Sequence, residues 1–222
     1  MAALENITSG AQSIPSVDLI REANHRIANH LSLIVGMVQM QVSAVARGPE
    51  TLRRDAVHTM LQETAGKIIS VSHLHRKLAD QPQDSDIDLG GFIVESCTAL
   101  VSSLSLNGRI GIVYELGEKC MLPAEKAQLV SLMVSEMVMN AVKYAHPTDI
   151  PVQVHLTCAC DHVGSTFVEV QDDGVGLPEN FDEKTSGGVG FKLMRSLAKQ
   201  LGGSLKVDSS SLGLCLRLTL PA

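Results

Sequence analysis

Positions Val17, Ile20, Asn24, Ile27, Leu31, Ile34, Val38, Gln41 and Val45 recur in alternating steps of three and four, apolar except for Asn24 and Gln41. That heptad seam predicts one long helix. Ser16 serves as its N-cap, Asp18 sits in its first turn, and Arg47-Gly48-Pro49 stops it. A second seam, Val57, Leu61, Thr64, Ile68, Val71, His75 and Leu78, predicts a helix from near Glu50 to about Ala79. His75 lies on that seam and His73 beside it, so both read as structural. Two helices of about 30 residues joined by a tight Gly-Pro turn form an antiparallel hairpin. One hairpin leaves much of both seams uncovered. Pairing two hairpins into a four-helix bundle covers them, so a homodimer is expected.

The pattern changes after the polar, Pro-containing break Asp80–Asp86. Leu89–Leu106 reads as a helix and Ile110–Glu115 alternates like a strand. Leu122-Pro123-Ala124-Glu125 reads as the start of a long apolar helix reaching about Ala145. Val152–Thr157 and Thr166–Gln171 read as strands joined by a turn at Asp161–Gly164. A Gly-rich segment, Ser186–Gly190, precedes a helix Phe191–Leu201 ended by Gly202-Gly203. Strands Ser204–Asp208 and Leu212–Leu220 close the chain. The chain thus divides into a flexible tail 1–15, a helical hairpin 16–80, a linker 81–88 and a mixed domain 89–222. The fold class expected is α+β, a helical hairpin followed by an α/β sandwich.

Composition narrows the functional classes. Of 222 residues, 45% are apolar and 19% charged, enough for a core. The net charge of -6 argues against a nucleic-acid backbone as partner. The most apolar run, Leu31–Val42, holds Ser32, Gly36, Gln39 and Gln41 and falls short of the ~20 residues a membrane span needs. The start MAALENITSG has no basic region before an apolar one, so no secretory signal is read there. Five cysteines without a framework spacing read as reduced thiols, and the expected location is cytoplasmic.

Four motifs carry candidate chemistry, and each alone also fits a plain structural role. The first is Glu22-Ala23-Asn24-His25-Arg26-Ile27-Ala28-Asn29. His25 stands one residue off the seam, rotated about 100° toward solvent, where an imidazole can act as a nucleophile. Glu22 lies three residues earlier on that side, and Asn29 one turn later. The second is Ser135–Ala145, in which Glu136, Asn140 and Lys143 form a polar stripe at i, i+4 and i+7 on an apolar helix. Burying such groups unpaired is costly, so the stripe calls for a partner. The third is Gln171-Asp172-Asp173-Gly174-Val175-Gly176, a strand end with a carboxylate able to accept an amine N–H and glycines that admit a flat ligand. The fourth is Ser186-Gly187-Gly188-Val189-Gly190-Phe191-Lys192, a Gly-rich loop opening a helix, where free N–H groups favour an anion, with Lys192 and Arg195 adding positive charge. It is neither a P-loop nor a dinucleotide fingerprint. His155, Cys158, Cys160 and His162 crowd together like a zinc site. Their spacing matches no common pattern, and strand alternation sets His155 opposite the cysteines, so a strand leading to a turn is the reading preferred.

Glu-x-x-x-Asn, then Asp-x-Gly-x-Gly, then Gly-x-Gly, in this order, resembles the ATP-binding core of the GHKL superfamily, which holds gyrase, Hsp90-type chaperones, histidine kinases and MutL-like proteins. With Glu-x-x-His-Arg-x-x-Asn on the hairpin, residues 16–220 resemble a bacterial sensor histidine kinase core. The subclass is the one with a His-Arg phosphoacceptor, related to the HWE kinases. Strict HWE kinases carry a His before the Glu of the Asn box and a Trp-x-Glu element. Ser135 holds the first position here and the chain has no Trp.

The resemblance implies roles residue by residue. His25 is the phosphoacceptor. Asn140 holds Mg²⁺ that bridges the ATP phosphates, and Glu136 acts around that metal. Lys143 and Lys192 join the nucleotide site, Asp172 reads adenine with Gly174 and Gly176 making room, and Gly188 and Gly190 cradle the phosphates. ATP and Mg²⁺ are the implied cofactors. A response-regulator receiver domain is the implied partner, with any sensor supplied by a separate protein. Arg26 stands where many such kinases carry an acidic base, which leaves Glu22 to serve as the base and Asn29 to orient water for the reverse hydrolysis. The segment between Pro178 and Gly187 implies a small lid without the usual Phe-rich box. Two rivals share parts of this pattern. One is a histidine phosphotransferase with a non-catalytic ATP-like lobe, the other a GHKL protein-serine kinase acting on an anti-anti-sigma factor.

Overall fold

The computed structural model describes residues 15–48, 51–79, 86–104, 106, 108–146, 150–161, 164–181 and 188–222, with the side chains of 15–27 and 73–79 outside that description. Side chains at 29, 30, 33, 59, 63, 67, 70 and 71 are likewise outside that description. Residues 1–14 of the expected tail 1–15 fall outside it, as does the segment 80–85, whereas Pro15 already belongs to a helix. Two long helices come first, α1 (Pro15–Ala46) and α2 (Arg54–Ala79). Then follow β1 (Asp86–Asp88), α3 (Leu89–Ser103), β2 (Ile110–Leu116), β3 (Met121–Pro123) and α4 (Ala124–Tyr144). The chain ends with β4 (Val152–Cys160), β5 (Thr166–Asp172), α5 (Val189–Gln200), β6 (Ser204–Ser210) and β7 (Gly213–Leu220).

Five strands form a mixed sheet in the order β2-β4-β5-β7-β6. β2 runs parallel to β4, and every other pair is antiparallel. The strands alternate. Val152, Val154, Leu156 and Cys158 of β4 point inward with Val168 and Val170 of β5 and Leu214, Leu216 and Leu218 of β7. Gln153, His155, Gln171 and Arg217 point to solvent. The inward face is covered by α3, α4 and α5, which supply Phe92, Ile93, Leu100, Val130, Met133, Met137, Leu193 and Met194 to one core. This is the two-layer α/β sandwich expected, because a sheet with one apolar face must bury it. On the open face, register partners Glu169 and Arg217 form an ion pair of 2.5 Å, and the guanidinium lies over the Phe167 ring.

Several boundaries differ from the sequence reading. Asp86–Asp88, expected in the linker, pair antiparallel with Met121–Pro123, expected at a helix start. Three-residue strands are too short to show a period of two. β4 runs on to Cys160, and α5 starts two residues earlier than expected. The reading of five reduced thiols is corrected at one pair: Cys120 and Cys160 are disulfide-bonded, with Cα atoms 5.8 Å apart. The β2–β3 connection runs beside the end of β4, where Gly117 N–H donates to Cys158 O, and so brings together cysteines 40 residues apart.

The two seams also resolve differently. In α1, Ile34 and Met37 turn inward, and Gln41 is buried with its Oε1 accepting from Thr64 Oγ1 of α2 at 3.1 Å. Leu31, Val35, Val38, Val42 and Val45 form a second stripe, facing outward. The hairpin does not stand apart from the sandwich, since α2 packs against α3 and α4. Gly66 makes this possible: a Cβ there would lie 3.1 Å from Leu104 Cδ1 and 3.4 Å from Leu100 Cδ1. Gly66→Leu therefore should pry α2 from α3 at a cost of about 1–3 kcal/mol, since overpacking forces backbone shifts. Limited proteolysis should show faster cleavage between residues 79 and 86 while the sandwich stays protected. Unchanged cleavage would show that Gly66 does not set this contact.

Candidate functional site

Helix α4 is buried along most of its length, and its three stripe residues share one wall of a cleft of about 540 Å³. Glu136 is only 5% exposed, and Asn140 and Lys143 are half-buried. Helical spacing brings all three to the same side. Asn140 Nδ2 is buried with no hydrogen-bond partner among the described residues. An orphaned buried donor costs about 1–3 kcal/mol unless something in the cleft accepts from it.

The opposite end of the site is built by β5 and the turn after it. Asp172 is 8% exposed, and its Oδ1 accepts from Gly174 N–H at 2.9 Å and Leu214 N–H at 3.0 Å. Both bonds fall on one oxygen, so Oδ2 is uncommitted among the described residues, and Asp172 lines the cleft. Gly174 makes room, but for protein: a Cβ there would run into the backbone of Ala145 at the end of α4. Gly176 lines the cleft at φ +71, a conformation that suits glycine, and a Cβ there would strike Ser210 O.

Helix α5 closes a third side. Gly188 is its N-cap, and Gly188 and Gly190 both line the cleft. A Cβ on Gly190 would lie 2.9 Å from Glu136 Oε2 and 3.6 Å from Asn140 Oδ1, so the bare Cα keeps the stripe reachable. Residues 182–187, which include part of the expected Gly-rich loop, lie outside the described residues. Lys143 is part of the wall, whereas Lys192 is exposed on α5 and is not.

Sequence reasoning missed two contributions to the wall. Phe181 and Phe191, with ring centroids 5.3 Å apart, form part of it. Phe181 lies just beyond the Asp-x-Gly-x-Gly motif, and its rarity in a chain with four Phe was the available signal. Gln41 and Ala44 of α1 and Ala56 and Met60 of α2 also line the cleft. No local pattern marks them, because they reach it through the docking of the hairpin. Glu22, His25 and Asn29 lie on α1, their side chains outside the described residues. His25 stands sixteen residues before Gln41, about 24 Å along the helix axis.

The crowded His and Cys residues on β4 do not converge. His155 faces solvent, Cys158 is buried on the other side, Cys160 is bonded to Cys120, and His162 lies outside the described residues. Burial pushes the Cys158 thiol up to about 11 and the Cys97 thiol up to about 12, so both stay protonated near neutral pH. Neither is a ready nucleophile or metal ligand.

What the arrangement offers chemically is an acceptor for an amine at one end and a buried carboxylate and amide at the other. The start of a helix lies beside them. These groups suit a ligand with a base at one end and phosphates with a divalent cation at the other. The Asn140 amide presents an oxygen for a cation and an unpaired donor for a phosphate oxygen.

Comparison with known proteins agrees with this chemistry. Residues 125–222 match the family described as histidine kinase-, DNA gyrase B- and HSP90-like ATPases, and residues 22–104 match a family described as histidine kinase. Blue-light-activated histidine kinase 2 of Erythrobacter litoralis is 25% identical over 206 residues, 91% of this chain and 56% of that protein. Sensor histidine kinase PdtaS of Mycobacterium tuberculosis is 24% identical over 91% of this chain and 39% of its own length. The chain thus spans about half or less of these two relatives. Among solved structures, the histidine kinase domain from the Erythrobacter litoralis EL346 blue-light activated histidine kinase superposes with a TM-score of 0.66 at 25% identity. That match covers 90% of this chain and 92% of that one.

The double acceptance at Asp172 separates folding from binding. Asp172→Ala orphans two backbone N–H groups and should cost about 1–3 kcal/mol for each. Asp172→Asn keeps one oxygen for them and should stay within about 1 kcal/mol of wild type. Urea denaturation distinguishes the two, and equal losses would show that the N–H groups do not depend on this side chain.

Proposed function

We propose that the chain, which belongs to the histidine kinases through both of its matched segments, moves the γ-phosphoryl group of ATP to His25 and then to an aspartate. That aspartate sits on the receiver domain of a response regulator. The observation that carries the reading is that, among the described residues, one cleft holds both an uncommitted Asp172 oxygen and an Asn140 amide with an unpaired buried nitrogen. Asp172 Oδ2 accepts the exocyclic N–H of adenine. Val175, Leu177 and Phe181 give the base an apolar wall. The N–H groups at the start of α5, opened by Gly188 and Gly190, receive phosphate oxygens. Mg²⁺, when bound, neutralises charge spread over the phosphates. Asn140 holds it, Glu136 orders its surroundings, and Lys143 adds positive charge to the wall. Lys192 acts through its field rather than by contact.

In the first step the bond between the γ-phosphorus and its bridging oxygen breaks as a phosphorus–nitrogen bond forms at His25. ADP leaves, and the ring proton passes to Glu22. In the second step the phosphorus–nitrogen bond breaks as a phosphorus–oxygen bond forms on the receiver aspartate. Little covalent chemistry is asked of the protein, so alignment and charge do most of the work. Asn29, one turn from His25, orients water when the reaction runs toward hydrolysis of the phospho-regulator. No helix among the described residues is long and apolar enough to cross a membrane, and a cytoplasmic location fits a reaction that consumes ATP.

A second reading, a phosphotransferase with a non-catalytic lobe, is favoured by one observation. The hairpin's far end lines the cleft while His25 stands about 24 Å away along α1. Transfer then requires the sandwich to swing about the segment joining α2 to β1, or a second chain to present its histidine. A measurement of tight, Mg²⁺-dependent ATP binding would oppose this reading. Profiling against a panel of receiver domains tests the main one: wild type should label a subset, and His25→Ala should label none while still binding ATP. Labelling by the His25 variant would identify another acceptor.

The outward stripe supports a homodimer. Leu31, Val35, Val38, Val42 and Val45 repeat in steps of four and three, and Leu31 and Val42 are 56% and 61% exposed. On α2, Leu61 and Ile68 are exposed apolar residues as well. A second copy supplies a matching seam, giving the four-helix bundle. Wild type should sediment as a dimer at micromolar concentration, and Val38→Asp with Val42→Asp should make it monomeric. A monomeric wild type would contradict the bundle.

A further inference from the structure

The cleft has two halves on different elements: Asp172 at the end of β5, and Glu136, Asn140 and Lys143 on α4. Something must set the distance between them. The turn after β5 is tied in three directions. Asp172 Oδ1 binds it to the start of β7 through Leu214 N–H. Asp173 binds it to β4: its N–H donates to Gln153 O at 3.2 Å, and its Oδ1 accepts from Gln153 N–H at 3.0 Å. The third tie runs to the end of α4. Val175 N–H donates to Ala145 O at 2.9 Å, Gly174 lies against the Ala145 backbone, and His146 Nε2 lies 3.0 Å from the same Asp173 Oδ1. A carboxylate only accepts, so Nε2 carries the proton in this bond. The His146 side chain is 18% exposed and that of Asp173 46%.

We infer that His146 and Asp173 are positioning residues for the nucleotide: their hydrogen bond fixes the end of α4 against the turn that carries Asp172, and so sets the span between the base-reading and phosphate-handling halves of the cleft. The inference rests on the reading of this cleft as an ATP site. Val175 N–H and Gly174 fix the backbone contact at Ala145, one residue before His146. A second bond, on Asp173 itself, removes the remaining freedom to rotate about that contact. Neither side chain lines the cleft, so neither is a ligand. Their effect reaches the nucleotide only through the relative placement of Asp172 and Asn140.

A ligand that uses one half should not feel the clamp, whereas one that uses both should. Affinities of the full chain for adenosine and for Mg²⁺-ADP, measured by calorimetry, give the gain contributed by the phosphates. His146→Phe fills the same space without a donor and should reduce that gain about tenfold, the scale of one lost hydrogen bond to a charged group, while leaving adenosine affinity near wild type. His146→Gln places an amide N–H near the position of Nε2 and should restore the gain. A merely structural role would instead lower the thermal midpoint and weaken both ligands alike. If His146→Phe fails to fold, His146→Asn, whose amide falls short of Asp173, takes its place. Where the wild-type chain binds nucleotide, an unchanged gain in His146→Phe, or a Gln variant no better than Phe, would overturn the clamp and leave the functional reading standing. A wild-type chain that binds no nucleotide would overturn both.

Discussion

Asp172 accepts the N–H groups of Gly174 and Leu214 through a single oxygen, and the geometry of the cleft depends on it. The pair of bonds ends β5, fixes the turn that approaches α4, and brings the start of β7 alongside. Because both fall on Oδ1, the carboxylate is held rigidly while its other oxygen is uncommitted among the described residues. A buried carboxylate that also meets a ligand needs this arrangement: backbone donors offset its desolvation, and the ligand takes only the remainder.

Helix α4 works under a related constraint. Its apolar residues close the core, and its polar stripe must then face a cavity. Glu136 and Asn140 are tolerated at such depth because the cleft beside them is open to a ligand and because Gly190 brings no side chain between. The hairpin adds the last wall by docking α2 on α3 and α4, with Gly66 set against Leu100 and Leu104 at the end of α3. The arrangement that shields the cleft is therefore one in which His25 stands far from it. On the proposed reading, engaging His25 requires that closed arrangement to open.

Much of this was legible in the sequence, for identifiable reasons. The stripe at Glu136, Asn140 and Lys143 stands out because polar residues at helical spacing on an apolar helix have few explanations. The turn at Asp172–Gly176 stands out because glycines follow paired carboxylates at a strand end. Strands β4, β5 and β7 alternate cleanly because only one sheet face is buried. What stayed hidden depends on long-range contact. Asp86–Asp88 and Met121–Pro123 are too short to show a period, and α3 and β2 separate them in the chain. The Cys120–Cys160 bond, the Gln41 and Met60 wall and the His146–Asp173 link all join residues that no local pattern connects. The seam of α1 was read as one face where there are two: Ile34 and Gln41 turn inward, and Val35 and Val42, outside that seam, extend the outward stripe.

The central claim is that a histidine on α1 takes phosphate from nucleotide bound beside α4. The most direct measurement is incubation of the full chain with γ-labelled ATP and Mg²⁺, followed by acid and alkali treatment of the labelled protein and mapping of the modified residue. The account predicts a label that acid removes and alkali spares, placed on His25. An acid-stable label on a hydroxyl side chain, or no label from a chain that binds ATP, would contradict it.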